Sequence, residues 1–153
     1  MRVTKVFKWE MAHKLSHSYT EKCQHIHGHS YRAEITLQAK ELNEDCVVVD
    51  FSQIKRVISP IIDSFDHSFM YFGGDTHILA ILPSLQKNKR RLIECNFEPT
   101  AEIIAQFLFD KLSDDDLTNK LEVVSVRVWE TATCCAEAIE RKWSPIHFTF
   151  QNC

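Results

Sequence analysis

The chain has 153 residues, 44% of them hydrophobic, and a formal net charge of −3 at pH 7. That length suits one domain, 1–153, with a real core, and the balance gives no basic footprint for nucleic acid or an anionic membrane surface. No apolar run is long enough to span a bilayer, and residues 1–5 (Met-Arg-Val-Thr-Lys) lack a signal-peptide core, so a cytoplasmic protein is expected.

Residues 3–13 place Val3, Phe7, Trp9 and Met11 at even spacings, as a half-buried strand does. A polar loop over 16–24 follows and carries His17, Tyr19 and Cys23; His17 reads as a solvated loop residue. A second strand is expected over 29–41. Tyr31, Ala33, Ile35, Leu37 and Ala39 share one face, and Arg32, Glu34, Thr36, Gln38 and Lys40 share the other. At its entrance stands Cys23-Gln24-His25-Ile26-His27-Gly28-His29. Extended backbone sends His27 and His29 to the same side, and Gly28 between them permits a close approach to the backbone. His13 ends the first strand. If the two strands pair, His13, His27 and His29 meet at one end of a sheet, and three imidazoles with an open fourth position are a donor set for catalytic Zn2+. His25 has the right parity but precedes the strand, and its part in the site stays open.

Asn43, Glu44 and Asp45 make a turn. Asp50 is an N-cap for a helix in which Phe51, Ile54, Val57, Ile58, Ile61, Ile62 and Phe65 keep helical spacing. Pro60 predicts a kink or an early end there. Asp66-His67 follows. A short helix is expected over 76–82, ended or kinked by Pro83, then a solvated basic run, Lys87-Asn88-Lys89-Arg90-Arg91, and a small strand at Leu92 and Ile93. Thr100 caps a second long helix with Ile103, Ile104, Phe107, Leu108 and Leu112 on its apolar face. Residues 121–131 form a third strand, and Ile146, Phe148 and Phe150 alternate as a last one. This order predicts an α+β fold, a four-stranded antiparallel sheet with two helices on one face. Cys46, Cys95, Cys134, Cys135 and Cys153 follow no disulfide-scaffold spacing and read as reduced thiols.

Several segments, in order, resemble the 6-pyruvoyltetrahydropterin synthase family. They are Trp9-x-x-Ala12-His13-x-Leu15, Cys23-x-x-x-His27-Gly28-His29-x-Tyr31, Val49-Asp50-Phe51-Ser52-Gln53-Ile54-Lys55, Asp66-His67, Pro99-Thr100-Ala101-Glu102 and Trp129-Glu130-Thr131. The short spacing from Cys23 to His27 is similar to the bacterial branch, the 6-carboxytetrahydropterin synthases of queuosine biosynthesis. Residues 70–96 depart from the family pattern and read as an insertion. The resemblance implies the tunnelling fold (T-fold), whose subunits join their sheets into a barrel, and so a homo-oligomer, a hexamer in the family.

The resemblance also implies a zinc-dependent lyase acting on 7,8-dihydroneopterin triphosphate and making 6-carboxy-5,6,7,8-tetrahydropterin. Cys23 would be the catalytic base, with Asp66 orienting His67 to exchange its proton. Glu130 and Thr131 would bind the pterin, Glu130 by a bidentate match to its amino-pyrimidine edge. Glu102 is a weaker candidate, since an acid in a first helical turn is favoured anyway. The cation for the triphosphate stays open among Lys14, Lys22 and Arg32. Two alternatives are kept: a 6-pyruvoyltetrahydropterin synthase, and a non-enzymatic zinc module in which Cys23 closes the shell as a fourth ligand.

Overall fold

Two twelve-residue strands, β1 (Arg2–His13) and β2 (His27–Gln38), pair antiparallel along their whole lengths, from Arg2↔Gln38 to His13↔His27. The structure is a computed structural model and describes residues 1–153 apart from 19, 89, 120, 141–145, 152 and 153. Tyr19, Lys89 and Cys153, named above, lie outside the described residues. The alternation in both strands is realised as burial: Phe7, Trp9, Met11, Tyr31, Ala33, Ile35 and Leu37 are buried, while Lys8, Glu10, Gly28 and Ser30 on the opposite face are exposed. A one-residue slip would turn this apolar set to water, so the register is strongly specified.

A one-turn helix α1 (Glu21–Gln24) precedes β2. Helix α2 (Phe51–Phe65) begins where expected, with the Asp50 side chain accepting from the Ser52 amide at 2.7 Å. It does not end at Pro60 but runs on to Phe65. Pro60 is exposed, whereas Ile54, Ile58, Ile62 and Phe65 are buried against the sheet, and that packing outweighs one lost backbone hydrogen bond. Phe65 meets Trp9, Phe107 and Phe148 at ring-centroid distances of 6.0, 6.2 and 5.6 Å. Truncating it to alanine would cost about 3–5 kcal/mol.

Among the described residues the sheet has seven strands, not four. After α2 come β3 (Ser68–Phe72), helix α3 (Thr76–Lys87), β4 (Leu92–Cys95) and helix α4 (Ala101–Ser113), then β5 (Glu122–Trp129), β6 (Cys135–Ala138) and β7 (Phe148–Gln151). The strand order is β6-β5-β2-β1-β3-β4-β7, and β1–β3 and β3–β4 pair in parallel. Strand β3 escapes an alternation search because it is buried or half-buried at every position, as parallel strands are. The last strand sits at the far edge against β4, and β6, four residues long, takes the place beside β5. Helix α3 passes through Pro83 to Lys87; Pro83 is exposed, while Ile78, Tyr71 and Leu92 form a small separate core beneath the helix.

Helix α4 starts at the Thr100 cap. Its Ile104, Phe107, Leu108 and Leu112 join the main core with α2 and the odd-numbered residues of β1 and β2. The N-terminus of α4 thereby lies beside the end of the sheet that carries the histidines.

Candidate functional site

His13 and His27 are register partners, and His29 pairs with Met11. All three imidazoles belong to the core-facing parity of their strands. One nitrogen of each lies within 4.8 Å of the others, and the Nε2 atoms of His13 and His27 are 3.0 Å apart. His13 Nδ1 is 2.8 Å from the Pro99 carbonyl oxygen, and His27 Nδ1 is 2.7 Å from that of His25. A carbonyl only accepts, so both Nδ1 atoms carry the proton and both Nε2 atoms present bare lone pairs to each other. Burial, with the neighbouring His27 and His29, holds the His13 imidazole down at about 4, against the opposing pull of Pro99. Burial and His27 lower His29 as well. Two lone pairs in contact repel unless a cation lies between them, and neutral imidazoles are the form a metal takes. The donor set fits zinc.

Among the described residues, Cys23 is not part of this cluster. It is half-buried in α1, in a loop closed by the Leu15 amide donating to the Cys23 carbonyl at 3.0 Å. A closed Cys-His-His-His shell is therefore not what the residues form. His25 contributes its carbonyl, not its ring. Gly28 does permit a close approach, but the neighbour is the Met11 carbonyl across the sheet; a Cβ there would stand 3.4 Å from it.

Glu130 stands one residue beyond the Arg32↔Trp129 pair, which brings it opposite Tyr31 on the same face as the imidazoles. Burial raises its carboxyl, and nearby Glu102 raises it further; His27, the Ala101 amide and the Tyr31 hydroxyl pull the other way. Among the described residues its buried Oε1 has no hydrogen-bond partner. An orphaned buried acceptor costs about 1–3 kcal/mol, a penalty that a ligand donor relieves. Thr131 turns its hydroxyl to its own hairpin, accepting from the Thr133 and Cys134 amides.

Asp66 and His67 are joined at 2.8 Å, His67 Nδ1 to Asp66 Oδ2, while Asp66 Oδ1 accepts from the Glu10 amide at 2.8 Å. That amide, chiefly, keeps the Asp66 carboxyl low. His67 has φ 56, a left-handed backbone that few residues adopt without reason. His67 lines a concavity of about 410 Å³ together with Glu10, Gly28 and Ser30, of the strand face opposite the imidazoles, and with His29. Among the described residues no hydrogen bond links His67 to Cys23. A wider concavity, about 1190 Å³, opens at the other end of β2, where Gln38, Ala39, Asp116 and Leu117 are among its lining residues.

The three candidate cations separate. Lys14 is half-buried in an ion pair with Asp75, the N-cap of α3, and Arg32 lies over the Trp129 ring at 4.7 Å and pairs with Glu34 at 3.2 Å. Lys22 is exposed on α1. Sequence reasoning passed over Asp75, Pro99 and Tyr31 as site residues. Only Tyr31 carried a signal, since its parity is that of His27 and His29.

The family model for 6-pyruvoyl tetrahydropterin synthase matches residues 2–141. A 6-carboxy-5,6,7,8-tetrahydropterin synthase of Haemophilus influenzae is 34% identical over 140 residues, covering 89% of this chain and 96% of that protein. One of Aquifex aeolicus is 30% identical over 154 residues, covering 88% and 95%. Among solved structures, an uncharacterized protein of Wolinella succinogenes superposes with a TM-score of 0.79 at 20% identity, over 91% of this chain and 97% of the other. The 6-pyruvoyl tetrahydropterin synthase of Caenorhabditis elegans gives 0.64 at 19% identity, over 92% and 95%. At these identities the structural likeness is one of fold.

Proposed function

The chain belongs to the 6-pyruvoyl tetrahydropterin synthase family, and on that premise we propose that it is a 6-carboxy-5,6,7,8-tetrahydropterin synthase acting on 7,8-dihydroneopterin triphosphate. The names of its relatives at 30% and 34% identity support this product over 6-pyruvoyltetrahydropterin. The observation that carries the reading is the orphaned Oε1 of Glu130 on the same face as the three imidazoles.

His13, His27 and His29 hold one metal ion, read as Zn2+ from the all-imidazole donor set. Such an ion supplies a Lewis acid that polarises an oxygen of the substrate side chain. Glu130 accepts two hydrogen bonds from the amino-pyrimidine edge of the pterin, and Thr131 borders it. Cys23 Sγ takes the proton from the side-chain carbon, and His67 exchanges it with Cys23 while Asp66 holds His67 Nδ1. His67 opens on a concavity lined mainly by residues of the strand face opposite His13 and His27, which favours a site completed between subunits of a homo-oligomer. The triphosphate falls to Lys22, because Lys14 and Arg32 are engaged elsewhere. The reading takes residues 1–153 as one domain with 70–96 as an insertion, in the cytoplasm, serving queuosine biosynthesis; no helix of the described residues is long and apolar enough to cross a membrane.

The test is turnover of 7,8-dihydroneopterin triphosphate by the purified zinc-loaded protein, with products identified by mass. Release of acetaldehyde and triphosphate with 6-carboxytetrahydropterin supports the reading. Formation of 6-pyruvoyltetrahydropterin instead would overturn it.

A further inference from the structure

We propose that Glu98 is a positioning residue that clamps the loop carrying Cys23, so that the thiol is held in a fixed place relative to the imidazole cluster. The proposal rests on the reading above that Cys23 takes the proton. The loop opens directly after His13 and is pinned at four consecutive residues. Lys14 pairs with Asp75, the N-cap of α3. The Leu15 amide donates to the Cys23 carbonyl at 3.0 Å, which closes the loop on the residue that bears the thiol. The Ser16 amide donates to Glu98 Oε2 at 2.8 Å, and the Ser16 hydroxyl donates to Asp75 at 2.5 Å. His17 Nδ1 lies 2.7 Å from Glu98 Oε1, and its ring stands against that of Phe72 with centroids 6.2 Å apart. A carboxylate only accepts, so His17 Nδ1 carries a proton there and the loop occupies both oxygens of Glu98.

Glu98 stands next to Pro99, whose carbonyl faces His13 Nδ1 at 2.8 Å. Adjacent residues of one segment therefore hold the Cys23 loop and an imidazole of the cluster. The segment is itself anchored, because Pro99 is buried and Thr100 caps α4. Asp75 and Phe72 lie within residues 70–96, so the stretch that departs from the family pattern supplies the other side of the clamp. A base must come within hydrogen-bond reach of the proton it takes, and a misplacement of about 1 Å can cost about a hundredfold in rate. Without the Glu98 carboxylate the loop keeps only its hold on Asp75, and the half-buried Cys23 gains room to move.

The experiment takes two readouts on the zinc-loaded full chain, for the wild type, Glu98→Ala, Glu98→Gln and Cys23→Ala. One is alkylation by iodoacetamide, followed peptide by peptide by mass, since Lys22 and Arg32 bound a tryptic peptide whose single thiol is Cys23. The other is kcat and KM with 7,8-dihydroneopterin triphosphate. In Glu98→Ala, Cys23 should be alkylated severalfold faster while the buried Cys95 stays protected. In the same variant kcat should fall about 10- to 100-fold with KM within about twofold. Glu98→Gln should restore both, because its amide can accept from Ser16 and donate to a bare His17 Nδ1. Unchanged alkylation of Cys23 in Glu98→Ala overturns the clamp. So does an equal rise at Cys95, because Glu98 would then hold the fold as a whole. Wild-type kcat despite faster alkylation also overturns it, because the hold would not serve the reaction. If Glu98→Gln behaves as Glu98→Ala, charge rather than the two bonds is what counts, and the clamp fails again. The reading of Cys23 as the base fails separately, if Cys23→Ala turns the substrate over as the wild type does.

Discussion

His13 and His27 close the β1–β2 ladder as its last register pair, and their Nε2 atoms meet at 3.0 Å with no proton between them. Pro99 and His25 enforce this by taking the Nδ1 protons of the two rings. Outer partners of this kind fix the tautomer a metal needs. In His13→Ala the zinc content should fall from one per chain toward zero while the far-ultraviolet circular dichroism stays that of the folded protein. Full zinc content in this variant would show that the ion sits elsewhere.

Glu130→Gln keeps the shape of the side chain but turns one acceptor into a donor facing a substrate donor. The mismatch costs about 1–3 kcal/mol, a loss of roughly ten- to hundredfold in affinity for a pterin analogue. Zinc content should not change. Unaltered binding would remove Glu130 from the site and point to Glu102 instead.

The same carboxylate predicts a pH dependence. Burial first, then the charge of Glu102, raises the Glu130 carboxyl, so its charged form is lost at a higher pH than for a free glutamate. Pterin affinity should therefore fall as the pH drops through that raised value. In Glu102→Gln one of the two causes is gone, and the acid limb of the binding profile, followed by calorimetry across pH, should move to lower pH. An acid limb that stays in place would mean that Glu102 does not act on Glu130.

Cys23→Ala should keep zinc and pterin binding and lose the chemical step, because the thiol lies outside the imidazole cluster. Metal analysis together with single-turnover product formation separates the two. Zinc loss in this variant would bring back the closed four-ligand site.

Lys14 and Asp75 tie the residue after His13 to the start of α3. Asp75 also accepts from Ser16 Oγ at 2.5 Å and from the His77 and Ile78 amides at 2.9 and 3.2 Å. Burial alone would raise its carboxyl; Lys14, Ser16 and the helix amide outweigh it and hold Asp75 at about 2, below the usual 3.8. A carboxyl lowered in the folded state stabilises fully above the unfolded value and loses that contribution as pH falls through the folded one. The contribution should thus fade between about pH 4 and pH 2. Asp75→Asn leaves the half-buried Lys14 without its counter-ion and weakens the α3 cap, and should cost about 1–3 kcal/mol near neutrality, measured by urea denaturation. A variant as stable as the wild type would show the pair to be dispensable.

Local pattern made much of this protein legible in the chain alone. Period two in β1 and β2 placed Trp9, Met11 and Tyr31 in the core and sent His27 and His29 to one side. Side-chain oxygens at Asp50 and Thr100 marked two helix starts, because capping is a contact between residues only two or three apart. The ring of three imidazoles followed from parity plus a single assumption, that β1 pairs with β2. Tertiary structure decided what depends on distant partners. The chain alone could not show that Ser68–Phe72 and Leu92–Cys95 pair in parallel beside β1, because short buried strands do not alternate and their partners are chosen by packing. Nor could it show that α2 and α3 run through Pro60 and Pro83, where burial of the opposite face offsets one lost hydrogen bond. The carbonyl of Pro99, 86 residues from His13, and the side chain of Glu102 near Glu130 are contacts across the end of the sheet. No spacing along the chain encodes them, because each exists only once the N-terminus of α4 and the end of the sheet have been brought together by the core they share.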